Sequence, residues 1–188
     1  MKLPVYLYGH PVLRAEAADV DLNDPTLPKL VDDMFETMYA SEGVGLAAPQ
    51  IGKSIRLVVI DASPVADAFP ECEGRKLVLI NPEVEVLDGD PISRSEGCLS
   101  LPGLSDDVKR VEHIRLTWDD LDGNEHSEEM SGFLARIVQH ECDHLDGHVY
   151  IDHVSAIRRQ LLRSKLNNIV EGRIRCDYPV KAAARRKK

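Results

Sequence analysis

Apolar residues recur at helical spacing at Leu27, Leu30, Val31, Met34 and Met38, behind an Asp24-Pro25 pair suited to an N-cap and first helical turn, and the pattern stops at Gly43. This predicts an amphipathic helix. Ile55 to Ile60 and Leu77 to Ile80 are leucine and β-branched runs of strand length, separated by a Pro-, Asp- and Glu-bearing excursion from Asp61 to Lys76. Alternation at Val84 and Val86, and at Ile114, Leu116 and Trp118, predicts further strands. The Asp122-Gly123-Asn124 turn between Trp118 and Met130 predicts a hairpin. Ser131 is placed to cap a helix that ends near Gly147, and another helix is expected from Asp152 to about Gly172. The expectation is an α+β fold: a mixed, largely antiparallel sheet packed around a central helix, with one helix N-terminal to it and one C-terminal. Residues 1–172 form a single domain on this reading, and 173–188 form a basic tail without apolar periodicity, expected to be disordered.

Composition narrows the class. At 43% hydrophobic and 29% charged, 188 residues suffice for one soluble domain with its own core. The net charge of −9 argues against a body built to grip DNA or an anionic membrane. Lys181, Arg185, Arg186, Lys187 and Lys188 crowd the last eight residues, so any affinity for RNA would sit there. Cys72, Cys98, Cys142 and Cys176 are far apart and form no Cys-x-x-Cys pair; they are expected to be free thiols or ligands. With no signal-peptide core and no run of about 18 apolar residues, the expected location is cytoplasmic.

The strongest chemical pattern lies in the central helix, His140-Glu141-Cys142-Asp143-His144, an H-E-x-x-H sequence. At about 100° per residue the two imidazoles fall within roughly 40° of each other, with Glu141 about 60° further round, on the same side as Leu134, Ile137, Val138 and Leu145. Ligand face and buried face therefore coincide, which predicts a metal-binding helix and a carboxylate whose pKa burial raises, as a general base needs. Arg136, Gln139, Asp143 and Asp146 are expected on the opposite, polar side, and Cys142 points away from the imidazoles into packing. Two histidines are an incomplete ligand set. The metzincin continuation fails, because Tyr150 stands where the third His is required. Cys98, in Glu96-Gly97-Cys98-Leu99-Ser100, is the better third ligand: a thiolate gives an N,N,S site with a fourth position left open, the mark of a catalytic site. Gly43-Val44-Gly45-Leu46-Ala47-Ala48-Pro49-Gln50 adds two glycines that permit close backbone approach and an amide donor in Gln50. It lacks the Lys-Ser/Thr of a phosphate loop. A metal-dependent amide hydrolase, an H-E-x-x-H metallopeptidase and a metal-stabilised binding module are the readings these residues leave open.

Together, and in this order, GVGLAAPQ, EGCLS and HECDH resemble the three motifs of peptide deformylase, EGCLS being of the bacterial type. The opening Tyr8-Gly9-His10-Pro11-Val12-Leu13-Arg14 is also similar to bacterial members, and the likeness runs to about Arg163. The Asp61 to Lys76 excursion and the basic end depart from it without touching a motif. The resemblance implies removal of the formyl group from the N-terminal formyl-methionine of nascent polypeptides, by water activated at a metal held by Cys98, His140 and His144. The metal implied is ferrous iron (Fe2+), with Zn2+, Ni2+ or Co2+ as substitutes. Glu141 would move the proton, and Gln50 and the Leu99 backbone N–H would stabilise the oxyanion, an interaction typically worth about 3 kcal/mol. Gly45 would pair with the substrate backbone. Phe133, Ile137 and Val44 are expected to line the methionine pocket. A further expected partner of the basic C-terminal region is ribosomal RNA.

Overall fold

The computed structural model describes residues 1–183. In chain order the elements are β1 (Val5–Tyr6), α1 (Leu27–Ala40), β2 (Gly45–Ala47), β3 (Leu57–Asp61), β4 (Lys76–Val86), β5 (Pro91–Gly97), β6 (Ser105–Val111), β7 (His113–Asp119), β8 (Glu125–Ser131), α2 (Gly132–Leu145), α3 (Ala156–Val170) and β9 (Val180–Lys181). The main sheet has the order β2-β3-β4-β7-β8, with every pair antiparallel. The fold is thus α+β, as the periodicity predicted. β5 and β6 pair only with each other, and β1 with β9.

Alternation in the first strands decides which helix covers which face. Leu46, Leu57, Val59 and Ile80 pack with Val31, Met34 and Met38 of α1, while Ala47, Val58, Ile60 and Leu79 pack with Leu134, Ala135 and Val138 of α2. β3 is buried on both sides, which is why it reads as an unbroken apolar run. A third cluster, with Leu104, Val108, Tyr150 and Leu166, fills the space between β6 and α3. Helix α2 therefore lies in the interior, with the sheet on one side and the β5–β6 hairpin on another.

Several boundaries differ from expectation for identifiable reasons. α1 starts two residues late, because Asp24 spends its carboxylate on Thr26 N (2.8 Å) and Oγ1 (2.7 Å) in a turn that precedes the helix. Ser155 caps α3 by accepting from Arg158 N, so Asp152 falls in a separate short turn. The Ser131 side chain makes no capping bond to α2. The cap comes instead from the excursion, where Glu71 Oε1 accepts from Phe133 N at 2.7 Å. The excursion also stacks Phe69 on Phe133, ring centroids 4.0 Å apart. The largest departure is the C-terminal end. Residues expected to be disordered from 173 onward are tied down: Val5 N donates to Pro179 O and Leu7 N to Lys181 O, both at 2.9 Å, with β9 running parallel to β1. A two-residue strand has no periodicity to read. The rest of the expected tail, from 184 on, lies outside the described residues.

Candidate metal centre and active site

Of the described residues, Cys98, His140 and His144 form the only group of three whose candidate ligand atoms gather, all within 4.8 Å of one another. The imidazoles stand one turn apart on α2, and Cys98 follows the end of β5, so hairpin and helix meet at the site. Cys98 Sγ lies 3.3 Å from His144 Nε2. Burial alone would raise the Cys98 thiol, but the His144 and His140 imidazoles override it and bring it down to about 5. Burial likewise disfavours charge on His140, and the Cys98 and Glu96 anions outweigh it, raising its pKa. A thiolate balanced by a proton on an imidazole is a site ready to exchange that proton for a cation, since metal binding to Cys and His releases protons. One thiolate and two imidazoles at this spacing fit a divalent transition ion.

Glu141 is 5% exposed, and its Oε2 has no hydrogen-bond partner. Burial pushes its pKa up to about 6. Room for it comes from Gly45: a Cβ there would lie 2.5 Å from Glu141 Oε1. That requirement is separate from the close approach of a ligand that the sequence suggested for this glycine. Gln50 is oriented by the backbone. Its Oε1 accepts from Ala47 N at 2.8 Å, which turns Nε2 toward Cys98 Sγ and Ser100 Oγ, both at 3.3 Å. Val44, Gly45, Gln50, Cys98, Leu99, Phe133, Ile137, His140 and Glu141 all border one cavity of about 630 Å³, and His144 lies behind it, fully buried. The expected site residues are thus brought together.

The polar network beneath the ligands was not anticipated. Glu96 Oε2 lies 2.8 Å from His140 Nδ1 and fixes that ring, while Glu96 Oε1 accepts from Arg110 Nε and Arg136 Nη1, both at 2.7 Å. Burial would raise the Glu96 pKa, but its bonds to His140 and Arg110 win and hold it far below the usual carboxylate range. Arg136, placed by the helical count on a polar outer face, is 1% exposed and bridges Glu96 to Glu112. Gln139 is also buried. The second side of α2 therefore faces the β5–β6 hairpin, whose inward residues Asp106 and Arg110 are charged. Tyr150, which stands where a metzincin would carry its third histidine, stacks on His140 with centroids 6.0 Å apart and donates to Leu104 O at 2.9 Å. Cys142 packs in the core and burial raises its pKa, as expected of a thiol that is not a ligand. His148 and His153 are exposed.

A structural metal site closes its fourth position with another protein ligand, whereas this one opens on a cavity with a buried, unpartnered carboxylate beside it; that is the arrangement of a metal-dependent hydrolase. The polypeptide deformylase family profile matches residues 2–160, and the chain belongs to that family. It is 42% identical over 184 residues to a peptide deformylase of Salinibacter ruber, covering 96% of this chain and 94% of that one. Among solved structures it is similar to the peptide deformylase of Thermus thermophilus, with a TM-score of 0.79, 39% identity, and coverage of 90% of this chain and 98% of that one. It is similar also to a plant peptide deformylase, with a TM-score of 0.81, 34% identity, and coverage of 91% and 90%.

Proposed function

We propose that this chain hydrolyses the N-terminal formyl group of nascent polypeptides that begin with formyl-methionine, with Cys98, His140 and His144 holding one ferrous ion. The observation that carries the reading is the Glu141 carboxylate, buried, without a partner and poised at a pKa near 6 on the wall of the ligand cavity. The ion supplies a Lewis acid that makes water nucleophilic near neutral pH. Glu141 takes the proton of the attacking water and returns one to the leaving amine. The Gln50 amide, held by Ala47 N, and the Leu99 N–H donate to the oxygen on which negative charge develops. The backbone at Gly45, on the edge strand β2, pairs with the extended substrate. Iron is favoured over Zn2+, Ni2+ or Co2+ by the family resemblance, since the donor set accepts all four.

Turnover of formyl-Met-Ala-Ser against acetyl-Met-Ala-Ser, with cleavage of an internal peptide bond as control, tests the assignment. Rapid and selective deformylation is expected; internal cleavage without deformylation would favour the metallopeptidase reading. Val44, Phe133 and Ile137 enclose the methionine side chain, and Phe133 is braced from behind by Phe69. Ile137→Ala should raise KM for formyl-methionyl peptides roughly tenfold, as the loss of an apolar wall does. An unchanged KM would remove Ile137 from the pocket.

Among the described residues no helix is long and apolar enough to cross a membrane, which agrees with a cytoplasmic place of action beside the translation machinery. The cations Arg185, Arg186, Lys187 and Lys188 support contact with ribosomal RNA, where formylated chains emerge. Deleting 184–188 should weaken ribosome binding in a salt-dependent way and leave turnover of short peptides intact. Equal binding by the truncated chain would count against that contact.

A further inference from the structure

The excursion between β3 and β4 touches none of the sequence motifs, yet it is neither loose nor remote from the site. Ala62 N donates to Arg75 O at 2.9 Å and closes it at its base, Cys72 is fully buried, and Val65, Ala66 and Phe69 pack against the core that the sheet shares with α2. The excursion is thus seated on the body of the protein beside the first turn of α2.

Two of its side chains hold Phe133, the pocket residue in that first turn. Glu71 Oε1 accepts from Phe133 N at 2.7 Å, and the rings of Phe69 and Phe133 stack with centroids 4.0 Å apart and planes 12° apart. Gly132 makes room for the first of these contacts: it has φ +65°, and a Cβ there would collide with the Glu71 carboxylate. Its own N–H donates to Glu112 O at 2.9 Å. Backbone and ring of Phe133 are therefore fixed by one short segment. Arg94 adds to the stack, its guanidinium 5.5 Å from the Phe69 centroid while Nε donates to Glu112 Oε1 at 2.8 Å. Glu112 Oε1 also accepts from Arg136 Nε at 2.7 Å, next to Ile137. Phe133 borders the cavity and Phe69 and Glu71 do not, so the two reach a ligand only through Phe133.

We infer that Phe69 and Glu71 are positioning residues for substrate selection: by holding Phe133 they fix the wall that a long N-terminal side chain meets, and so set the preference for methionine over shorter residues. The inference rests on the deformylase reading, which places the methionine against Phe133. A ring released from the stack gains rotamer freedom, and ordering it again at each binding event weakens the contact with a side chain long enough to reach it. A short side chain does not reach the wall. Only the discrimination should suffer.

The test measures kcat and KM for formyl-Met-Ala-Ser and formyl-Ala-Ala-Ser in the full chain and in Phe69→Ala, Phe69→Leu, Glu71→Ala and Glu71→Gln. The wild type should favour the methionyl peptide. Phe69→Ala and Glu71→Ala should each cut that preference by roughly three- to tenfold, through KM for the methionyl peptide, with kcat and metal content unchanged; this is the range of one aromatic pair or one hydrogen bond. Glu71 is exposed, so its variants should fold, and Glu71→Gln keeps an acceptor for Phe133 N and should restore the wild-type ratio. Phe69→Leu keeps an apolar contact with the core and loses the ring, so it carries the test if Phe69→Ala does not fold. A wild-type ratio in Glu71→Ala or in the folded Phe69 variants would overturn the inference. So would an equal loss with both peptides, which marks general damage to the fold, or a Glu71→Gln ratio as low as that of Glu71→Ala. Failure of the wild type to deformylate either peptide would instead overturn the function on which it rests.

Discussion

Glu141→Ala is expected to keep its metal and to lose roughly 10²- to 10⁴-fold in turnover of formyl-methionyl peptides, the usual contribution of a positioned general base. Glu141 Oε2 makes no hydrogen bond, so removing the carboxylate orphans no partner in the ligand set. The imidazoles and the thiolate keep their supports: Glu96 on His140, and Gln50 on Cys98. Loss of rate with metal retained is therefore the signature of a proton carrier. Metal analysis and steady-state kinetics on the same preparation check it. Full activity in Glu141→Ala would exclude this role.

Cys98→Ala should fail in a different manner. Two imidazoles remain, and without the thiolate the site loses its anionic ligand, so metal occupancy and activity should fall together. The Gln50 amide would keep Ser100 Oγ as an acceptor, and Cys98 is only partly exposed beside the cavity, so the fold should survive the change. A thiolate beside a ferrous ion is also the most oxidisable pair in the chain. Iron-loaded enzyme should lose activity in air, while nickel- or cobalt-loaded enzyme persists. Dialysis followed by metal counting separates the two variants: Glu141→Ala stays loaded and Cys98→Ala does not. A full equivalent of metal with normal turnover in Cys98→Ala would remove the thiolate from the ligand set.

The residues that act by local spacing were legible in the sequence. His140, Glu141 and His144 share a helix face whatever surrounds it, and Gly45, Gln50 and Cys98 lie in short motifs that fold as turns and strand ends. What escaped depends on contacts between distant segments. Arg136 looks solvent-facing on a helical count, because that count cannot know that a second hairpin covers the other side of α2 with Asp106 and Arg110 turned inward. β5 and β6 are polar for the same reason: their buried positions carry charges matched by α2 and α3, as in the Arg158 bonds to Asp106. Glu71 caps α2 across 62 residues of sequence, which no capping pattern contains. Tyr178 borders the cavity from a segment held by the two-residue parallel pairing of β9 with β1, too short to leave a pattern.

The central claim is that catalysis occurs at one metal ion held by Cys98, His140 and His144. The most direct measurement is a titration of chelator-stripped protein with ferrous ion, without oxygen, while deformylation of formyl-Met-Ala-Ser and bound metal are followed together. The account predicts activity rising in proportion to bound metal and levelling at one ion per chain. Full turnover by the stripped protein, or activity that does not follow metal content, would contradict it.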